Sequence, residues 1–209
     1  MKALIYKDLL AVWNYCRSFI FMCAMFLLFS VVLEEYRFLQ MYPSIFTFIL
    51  LNTIIAYDER DRWDRQVLAM PVSRKQYVTA KYLVSVVLQA VVLILTATAH
   101  ALQLLRTGSF SWENIGITAV IVMLFGTLPP AMFLPFIFKA GVEKGRIAYM
   151  IAAGCGCGLG GAGMKVLNTL GMMDKPVGIG FAPVAMVLAL LLFCGSWALS
   201  VKWYEKREL

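Results

Sequence analysis

The stretch Tyr82-Leu-Val-Ser-Val-Val-Leu-Gln-Ala-Val-Val-Leu-Ile-Leu-Thr-Ala-Thr-Ala-His-Ala-Leu-Gln-Leu-Leu105 runs for 24 residues without one Asp, Glu, Lys or Arg, between Lys81 and Arg106. As a helix it would be about 36 Å long at 1.5 Å per residue, enough to cross a hydrocarbon layer of about 30 Å. Working outward, five further segments read the same way: about 16–33 and 38–57 before it, and about 114–138, 147–170 and 179–201 after it. The chain of 209 residues is 61% hydrophobic and 15% charged, with a mean hydropathy of +0.78. Soluble domains are roughly 45–50% apolar and about 25% charged, so too little polar surface exists here to cover a globule in water. The same apolar content excludes a disordered chain. The expected fold is all-α: one polytopic transmembrane domain over 1–209, with six membrane-spanning helices.

A net charge of +7 could suggest nucleic acid, but the basic residues sit between the apolar runs, where membrane proteins place their topogenic charges. No base-reading motif accompanies them, so no nucleic-acid partner is expected. Cys16, Cys23, Cys155, Cys157 and Cys194 all lie within or at the edge of apolar segments. They read as small buried hydrophobes and not as an extracellular disulfide framework. Met1 to Arg17 is amphipathic and leads into a full-length apolar run, unlike a cleaved secretory signal.

With the N-terminus inside, the segments facing the cytoplasm hold fifteen of the nineteen Lys and Arg residues, leaving Arg37, Arg106, Lys165 and Lys175 outside. Basic flanks stay cytoplasmic, so both termini are expected inside. The outer connections are too short to fold as a domain. The one long polar stretch is the inner loop of about 58–81, where contact with a soluble partner is expected.

Plotted as a helix, residues 2–17 place Ile5, Leu9, Val12, Trp13 and Cys16 on one side and Lys7 and Asn14 on the other. Such a helix would lie in the cytoplasmic interface; the competing reading is a straight extension of the first span. In the inner loop, Asp58 precedes Arg62 by four residues and Asp61 precedes Arg65 by four, a spacing that supports a helix. Trp63, Val67 and Met70 recur at i, i+4 and i+7 as a narrow apolar stripe. Pro71 ends this helix, and Ser73 with Gln76 forms a capping-box pattern that starts the next. The outline is a docking helix, a sharp turn at a candidate hinge, Pro71, and a long lever entering the membrane. The alternative is a solvated loop that only marks topology.

Asp58-Glu59, Trp63, Leu68-Ala-Met-Pro71-Val-Ser-Arg74-Lys75 and Lys81-Tyr82, with Phe138-Lys-Ala-Gly141-Val-Glu143-Lys144-Gly145-Arg146 and the opening Met1-Lys-Ala-Leu-Ile-Tyr-Lys7-Asp8-Leu, resemble the permease subunits of bacterial type-2 ATP-binding-cassette (ABC) exporters. The similarity is to small permeases without a fused ATPase, and it covers nearly the whole chain. It implies a half-transporter in the bacterial cytoplasmic membrane: two permease chains, identical or different, form one pathway above two cytosolic ATPase subunits. It further implies an interface helix at about 2–15. A coupling helix at about 58–70 would grip the ATPase through Asp58, Glu59, Asp61, Arg62, Trp63, Arg65, Val67 and Met70. Glu143, Lys144 and Arg146 of the second inner loop would make a further contact. ATP and Mg would be bound by the partner chain. No cofactor, metal or catalytic residue is expected in this one, which lacks a G-x-x-x-x-G-K-[ST] phosphate loop.

Inside the membrane, the glycine-rich stretch Gly154–Gly163 reads as a close helix-packing face. Cys155 and Cys157 lack companion ligands for a metal. Ser85, Gln89, Thr96, His100 and Gln103 of the third span fall within about 60° of one another at helical periodicity, with Gln40, Ser44 and Thr47 as a weaker counterpart on the second span. Buried polar side chains in a span face the bundle or a wet cavity, so this stripe either glues helices together or lines a pathway. Gly126, Pro129, Pro130 and Pro135 are expected to bend or break the fourth span, as a hinge or a re-entrant turn. Short outer loops suit an amphipathic cargo such as a membrane-active peptide. A second class of function is a non-transporting immunity or sensor subunit that uses the 58–81 loop to bind a cytosolic partner. A secondary carrier is disfavoured by the scarcity of ionisable residues deep in the spans.

Overall fold

The computed structural model describes residues 2–32, 42–68, 72–108, 112–151, 154 and 181–206. They form eight helices: α1 Lys2–Tyr15, α2 Arg17–Val32, α3 Tyr42–Arg60, α4 Trp63–Leu68, α5 Arg74–Arg106, α6 Trp112–Ala140, α7 over 142–151, and α8 Phe181–Glu205. No strand occurs among the described residues. Among the described residues, three helical segments are long and apolar enough to cross a membrane: Arg74–Arg106, Asn114–Ala140 and Met186–Glu205. A fourth is added if α1 and α2, bent by 72° at their junction, count as one span. α3 falls outside this group because Asn52 and the Asp58-Glu59-Arg60 end dilute its apolar character. The expected spans at about 38–57 and 147–170 fall partly outside the described residues. Large apolar side chains face outward on the long helices, Leu191 at 65% and Ile94 at 63% exposed among them. A water-facing surface rarely tolerates such a display; lipid covers it at no cost.

α5 is the central element, packed against α1, α2, α3, α6 and α8. Its 33 residues begin at the capping box: Ser73 Oγ accepts the Gln76 N–H at 3.2 Å, and Gln76 Oε1 accepts the Ser73 N–H at 3.1 Å. Two of the four donors orphaned at a helix start are thereby satisfied. At about 50 Å, α5 is longer than the hydrocarbon layer, so its first turns stand outside it. There they meet an apolar core built from Leu51, Ile54 and Ile55 of α3, Tyr77, Val78 and Tyr82 of α5, Phe133, Leu134 and Phe138 of α6, and Tyr204 of α8. The Tyr77, Phe138 and Tyr204 rings pack with centroids 5.4–6.3 Å apart.

Three expectations are corrected. The fourth span is not interrupted: α6 runs unbroken through Pro129, Pro130 and Pro135. Each proline removes a donor from the carbonyl four residues earlier, and for Pro135 that carbonyl belongs to Ala131. Ser196 of α8 donates its hydroxyl to it at 2.5 Å. Because the one Ser196 hydrogen is spent there, Tyr82 Oη donates to Ser196 Oγ at 2.7 Å, and Ser200 donates to Tyr82 at 2.7 Å. A neighbouring helix thus supplies the missing bond, as membrane helices require.

The coupling helix expected over 58–70 is divided. Asp58 and Glu59 end α3, Arg62 adopts φ 53° and breaks the register, and only Trp63–Leu68 forms α4. The Asp58–Arg62 pair therefore does not form, and Asp58 binds lysines instead. The Arg65 side chain and all of Met70 and Pro71 lie outside the described residues.

The buried face of α1 keeps the expected Val12, with Cys16 just beyond it and Ile5 packed against the core, but turns Trp13 out. Leu4, Asp8 and Val12 point inward at i, i+4 and i+8, while Trp13 is 60% exposed beside the outward Tyr6 and Leu10. The bend at Cys16 separates α1 from α2, so α1 is no straight extension of the first span.

Candidate functional site

Four charged side chains meet where α1, α3 and α5 converge. Asp8 occupies the Leu4–Val12 face of α1, Asp58 continues the Leu51–Ile54–Ile55 face of α3, and Lys81 sits on the Tyr77–Val78–Val84 face of α5. Each stands where helical periodicity would place a core hydrophobe. Lys81, 1% exposed, donates to Asp8 Oδ1 at 2.9 Å and Oδ2 at 2.8 Å, and to Asp58 Oδ2. Lys7 Nζ donates to Asp58 Oδ1 at 2.6 Å and lies 3.1 Å from Asp8 Oδ1. Two cations and two carboxylates balance: Lys81 and Asp8 are fully buried, where a lone charge is strongly disfavoured, while Lys7 reaches in from the edge on a side chain that is 31% exposed. Lys7 also sits 4.4 Å from the centroid of the Trp63 ring, so α4 is held by the same cluster. The quartet joins α1, the end of α3, α4 and the start of α5 into one mechanical unit.

The other charged ends gather around it. Glu59 Oε2 accepts the Val142 N–H at 2.6 Å, tying α3 to the start of α7. Gly141, at φ 87°, ends α6 in a left-handed turn favoured by a residue lacking Cβ. Arg74 donates to the Tyr204 and Glu205 carbonyls at 3.2 and 3.0 Å, fixing the start of α5 to the end of α8. The starts of α1 and α5 and the ends of α3, α6 and α8 therefore lie at one end of the bundle.

The residues expected to grip a partner divide into two sets. Asp58 and Val67 (2% exposed) are buried, and Trp63 is partly buried against the core, so the Trp63–Val67 stripe faces the chain's own interior. Asp61, Arg62, Glu143, Lys144 and Arg146 are exposed and form the outer rim of this end, with Glu59 bridging the two sets. A six-residue α4 has only one apolar face, and the core takes it.

The polar stripe of α5 is also turned inward. Ser85, Gln89, Thr96, His100 and Gln103 are buried, as are Ser44 and Thr47 of α3, while Gln40 lies outside the described residues. Gln89 Nε2 donates to the Val122 carbonyl at 2.9 Å, and Gln89 Oε1 accepts from Thr47 Oγ1 at 3.2 Å. Gln89 fits only because position 126 carries no side chain: a Cβ there would stand 1.9 Å from its Oε1. His100 Nε2 meets Thr118 Oγ1 at 3.3 Å. Among the described residues, no group of three or more His, Cys, Asp or Glu is placed to hold a metal ion.

Sequence reasoning missed Lys7, Asp8 and Lys81 as a site. The signal was present: Asp8 stands four residues from both Leu4 and Val12, a carboxylate centred in an apolar stripe. Tyr82, Ser196 and Ser200 carried no comparable signal, because their meeting depends on how α5 and α8 cross.

A sequence model of the family described as ABC-2 family transporter protein matches residues 3–205, from α1 through the last turn of α8. No curated protein and no solved structure matches the chain. That family is the membrane part of ABC transporters, working with ABC ATPase partners and itself a transport component and not a catalyst. A multi-pass helical bundle with its charge gathered at one end fits that part, and with the match over nearly its whole length the chain belongs to the ABC-2 family of transporter proteins, as a permease subunit of an ABC transporter.

Proposed function

We propose that this permease is a six-span half-transporter whose charged end receives motion from cytosolic ATPases and passes it to α5 through the buried quartet. The observation that carries this reading is Lys81, fully buried two turns into α5 and bonded to carboxylates from both α1 and α3. A helix linked in this way cannot tilt without its partners. The exposed rim at Asp61, Arg62, Glu143 and Lys144 is the surface offered to the ATPase; the inward side of the same segment, at Trp63 and Val67, transfers displacement to the core. ATP-driven approach of two ATPases would then move α3, α4 and α5 as a body, a domain closure coupled to helix reorientation.

Both termini would lie in the cytoplasm, since the basic residues concentrate at the end where α1 begins and α8 finishes; the membrane would be the bacterial cytoplasmic one that the resemblance to bacterial permeases implies. Two permease chains would enclose the pathway between them, because the α5 polar stripe is occupied in packing within one chain. An apolar groove of about 590 Å³ between α2, α3 and α5, lined by residues such as Ile20, Leu27, Leu88 and Leu95, supports an amphipathic cargo drawn from the bilayer and exported.

The test is co-expression with a cognate ABC ATPase. Charge reversal at the rim (Asp61→Lys with Arg62→Glu) is expected to abolish ATPase co-purification while the melting temperature holds. Neutralising the quartet in a balanced pair (Lys81→Met with Asp8→Asn) is expected to leave the ATPase bound but to lower transport per ATP hydrolysed. Full co-purification and transport in the rim variant would sink the assignment.

A further inference from the structure

A recess of about 330 Å³ opens on the flank of α3 at the charged end, lined by Asn52, Thr53, Ala56, Tyr57 and Arg60, with Arg146 of α7 facing them. Asn52, Ala56 and Arg60 follow one another at i, i+4 and i+8, and Thr53 and Tyr57 run beside them, so one helix face forms the wall. From Arg60 inward to Asn52 is about 12 Å along the axis at 1.5 Å per residue. The mouth of the recess is cationic and its inner end lies two turns deeper.

No acid lines it. The neighbouring Asp58 is turned into the quartet, and Glu59 is held on the Val142 N–H. Among the described residues, every ion pair belongs to that quartet and none involves Arg60 or Arg146. At the inner end, Asn52 Oδ1 is buried and finds no donor among the described residues, while the Thr53 hydroxyl is spent on the Ile49 carbonyl at 2.8 Å. Turning the Asn52 amide over would bring its N–H groups to the same point, an assignment that only the hydrogen-bond partner decides.

We propose that Arg60 and Arg146 bind the phosphate of an anionic phospholipid headgroup, with the Asn52 amide meeting the ester oxygens deeper in the recess. Paired guanidinium forks match phosphate oxygens, and basic pockets between membrane helices at the cytoplasmic face recognise anionic headgroups. The depth of the recess favours a lipid over a protein side chain. An acidic residue of a docked ATPase would reach the arginine rim and leave Asn52 unmet, and free phosphate would do the same. The proposal needs only that the bundle lies in a membrane, so it stands apart from the coupling route.

The experiment is native mass spectrometry of the purified full chain in detergent, titrated with phosphatidylglycerol, phosphatidylcholine or inorganic phosphate. At roughly 1 kcal/mol per basic residue near an anionic surface, Arg60→Gln or Arg146→Gln should each weaken phosphatidylglycerol about fivefold, and the double variant about thirtyfold. Arg60→Lys with Arg146→Lys should retain part of the preference, since charge survives and the fork is lost. Asn52→Leu should weaken binding with the charge unchanged, and it covers the case of a double variant that folds poorly. Equal binding of both lipids by the wild-type chain would overturn the proposal, as would an unaltered phosphatidylglycerol preference in the double variant. Full competition by inorganic phosphate would identify a solute site. Loss of ATPase co-purification with lipid binding unchanged would identify a protein contact.

Discussion

Replacing Lys81 by Met removes the fully buried cation that bonds both oxygens of Asp8 and one oxygen of Asp58. In the native chain the quartet sums to zero charge. Without Lys81 it carries −1, and Asp8, 1% exposed, loses the two bonds at 2.9 and 2.8 Å that satisfy both its oxygens. Lys7 compensates only in part: its ammonium stays 2.6 Å from Asp58 Oδ1 and 3.1 Å from Asp8 Oδ1, on a side chain 31% exposed to solvent. Removing one member of a buried, hydrogen-bonded pair costs about 3–5 kcal/mol, much of it the penalty of the charge left behind. For a chain of this size that corresponds to a fall in melting temperature of about 6–20 °C. The assay is thermal unfolding in detergent, read by tryptophan fluorescence, for Lys81→Met, Asp8→Asn and the two combined. The double variant restores neutrality and should recover most of the loss, as buried pairs exchanged for neutral residues typically do. A Lys81→Met chain melting within about 2 °C of wild type, or a double variant no better than the single one, would refute the reasoning.

Ser196→Ala should destabilise by about 1–3 kcal/mol by orphaning the Ala131 carbonyl, and the loss should shrink in a Pro135→Ala background, where a backbone N–H returns; a double-mutant thermal cycle checks it. Gly126→Ala should cost about 1–3 kcal/mol through overpacking, because the new Cβ would displace Gln89 from Thr47 and Val122. Combining it with Gln89→Ala should relieve the clash, as compared by melting temperature. Val67→Asp should prevent accumulation of folded protein, since an unpaired carboxylate would enter the core, whereas charge reversal at the exposed Asp61 and Arg62 should leave the melting temperature unchanged; size-exclusion profiles and melting curves separate the two.

The helical membrane architecture was legible because it depends on local quantities. The charge-free run 82–105, the Ser73–Gln76 capping box and the basic residues at one end are properties of short windows, and the capping box appears with both its bonds. The coupling segment misled for a local reason as well: the 58–62 and 61–65 spacings look helical, but Arg62 takes a left-handed conformation that no spacing announces. The direction of the Trp63–Val67 stripe was unreadable because an apolar stripe states only that it will be buried, and not whether its own chain or a partner buries it. The proline-rich fourth span was misread for a tertiary reason, since Ser196, 61 residues from Pro135, supplies the bond the proline removes. The quartet lay between these cases. Its geometry needed three helices, yet Asp8 in the middle of an apolar face already implied a buried cation somewhere else in the chain.

Energy is proposed to enter through the exposed rim at the charged end. Single cysteines at Arg62, Lys144 and Trp112, placed in a chain whose five native cysteines are replaced, test it by cross-linking to the ATPase in native membranes. Trp112 starts α6 at the opposite end and is 78% exposed. The account predicts cross-links from positions 62 and 144 that change with added nucleotide, and none from 112. Cross-linking from 112 with silence at 62 and 144 would contradict it.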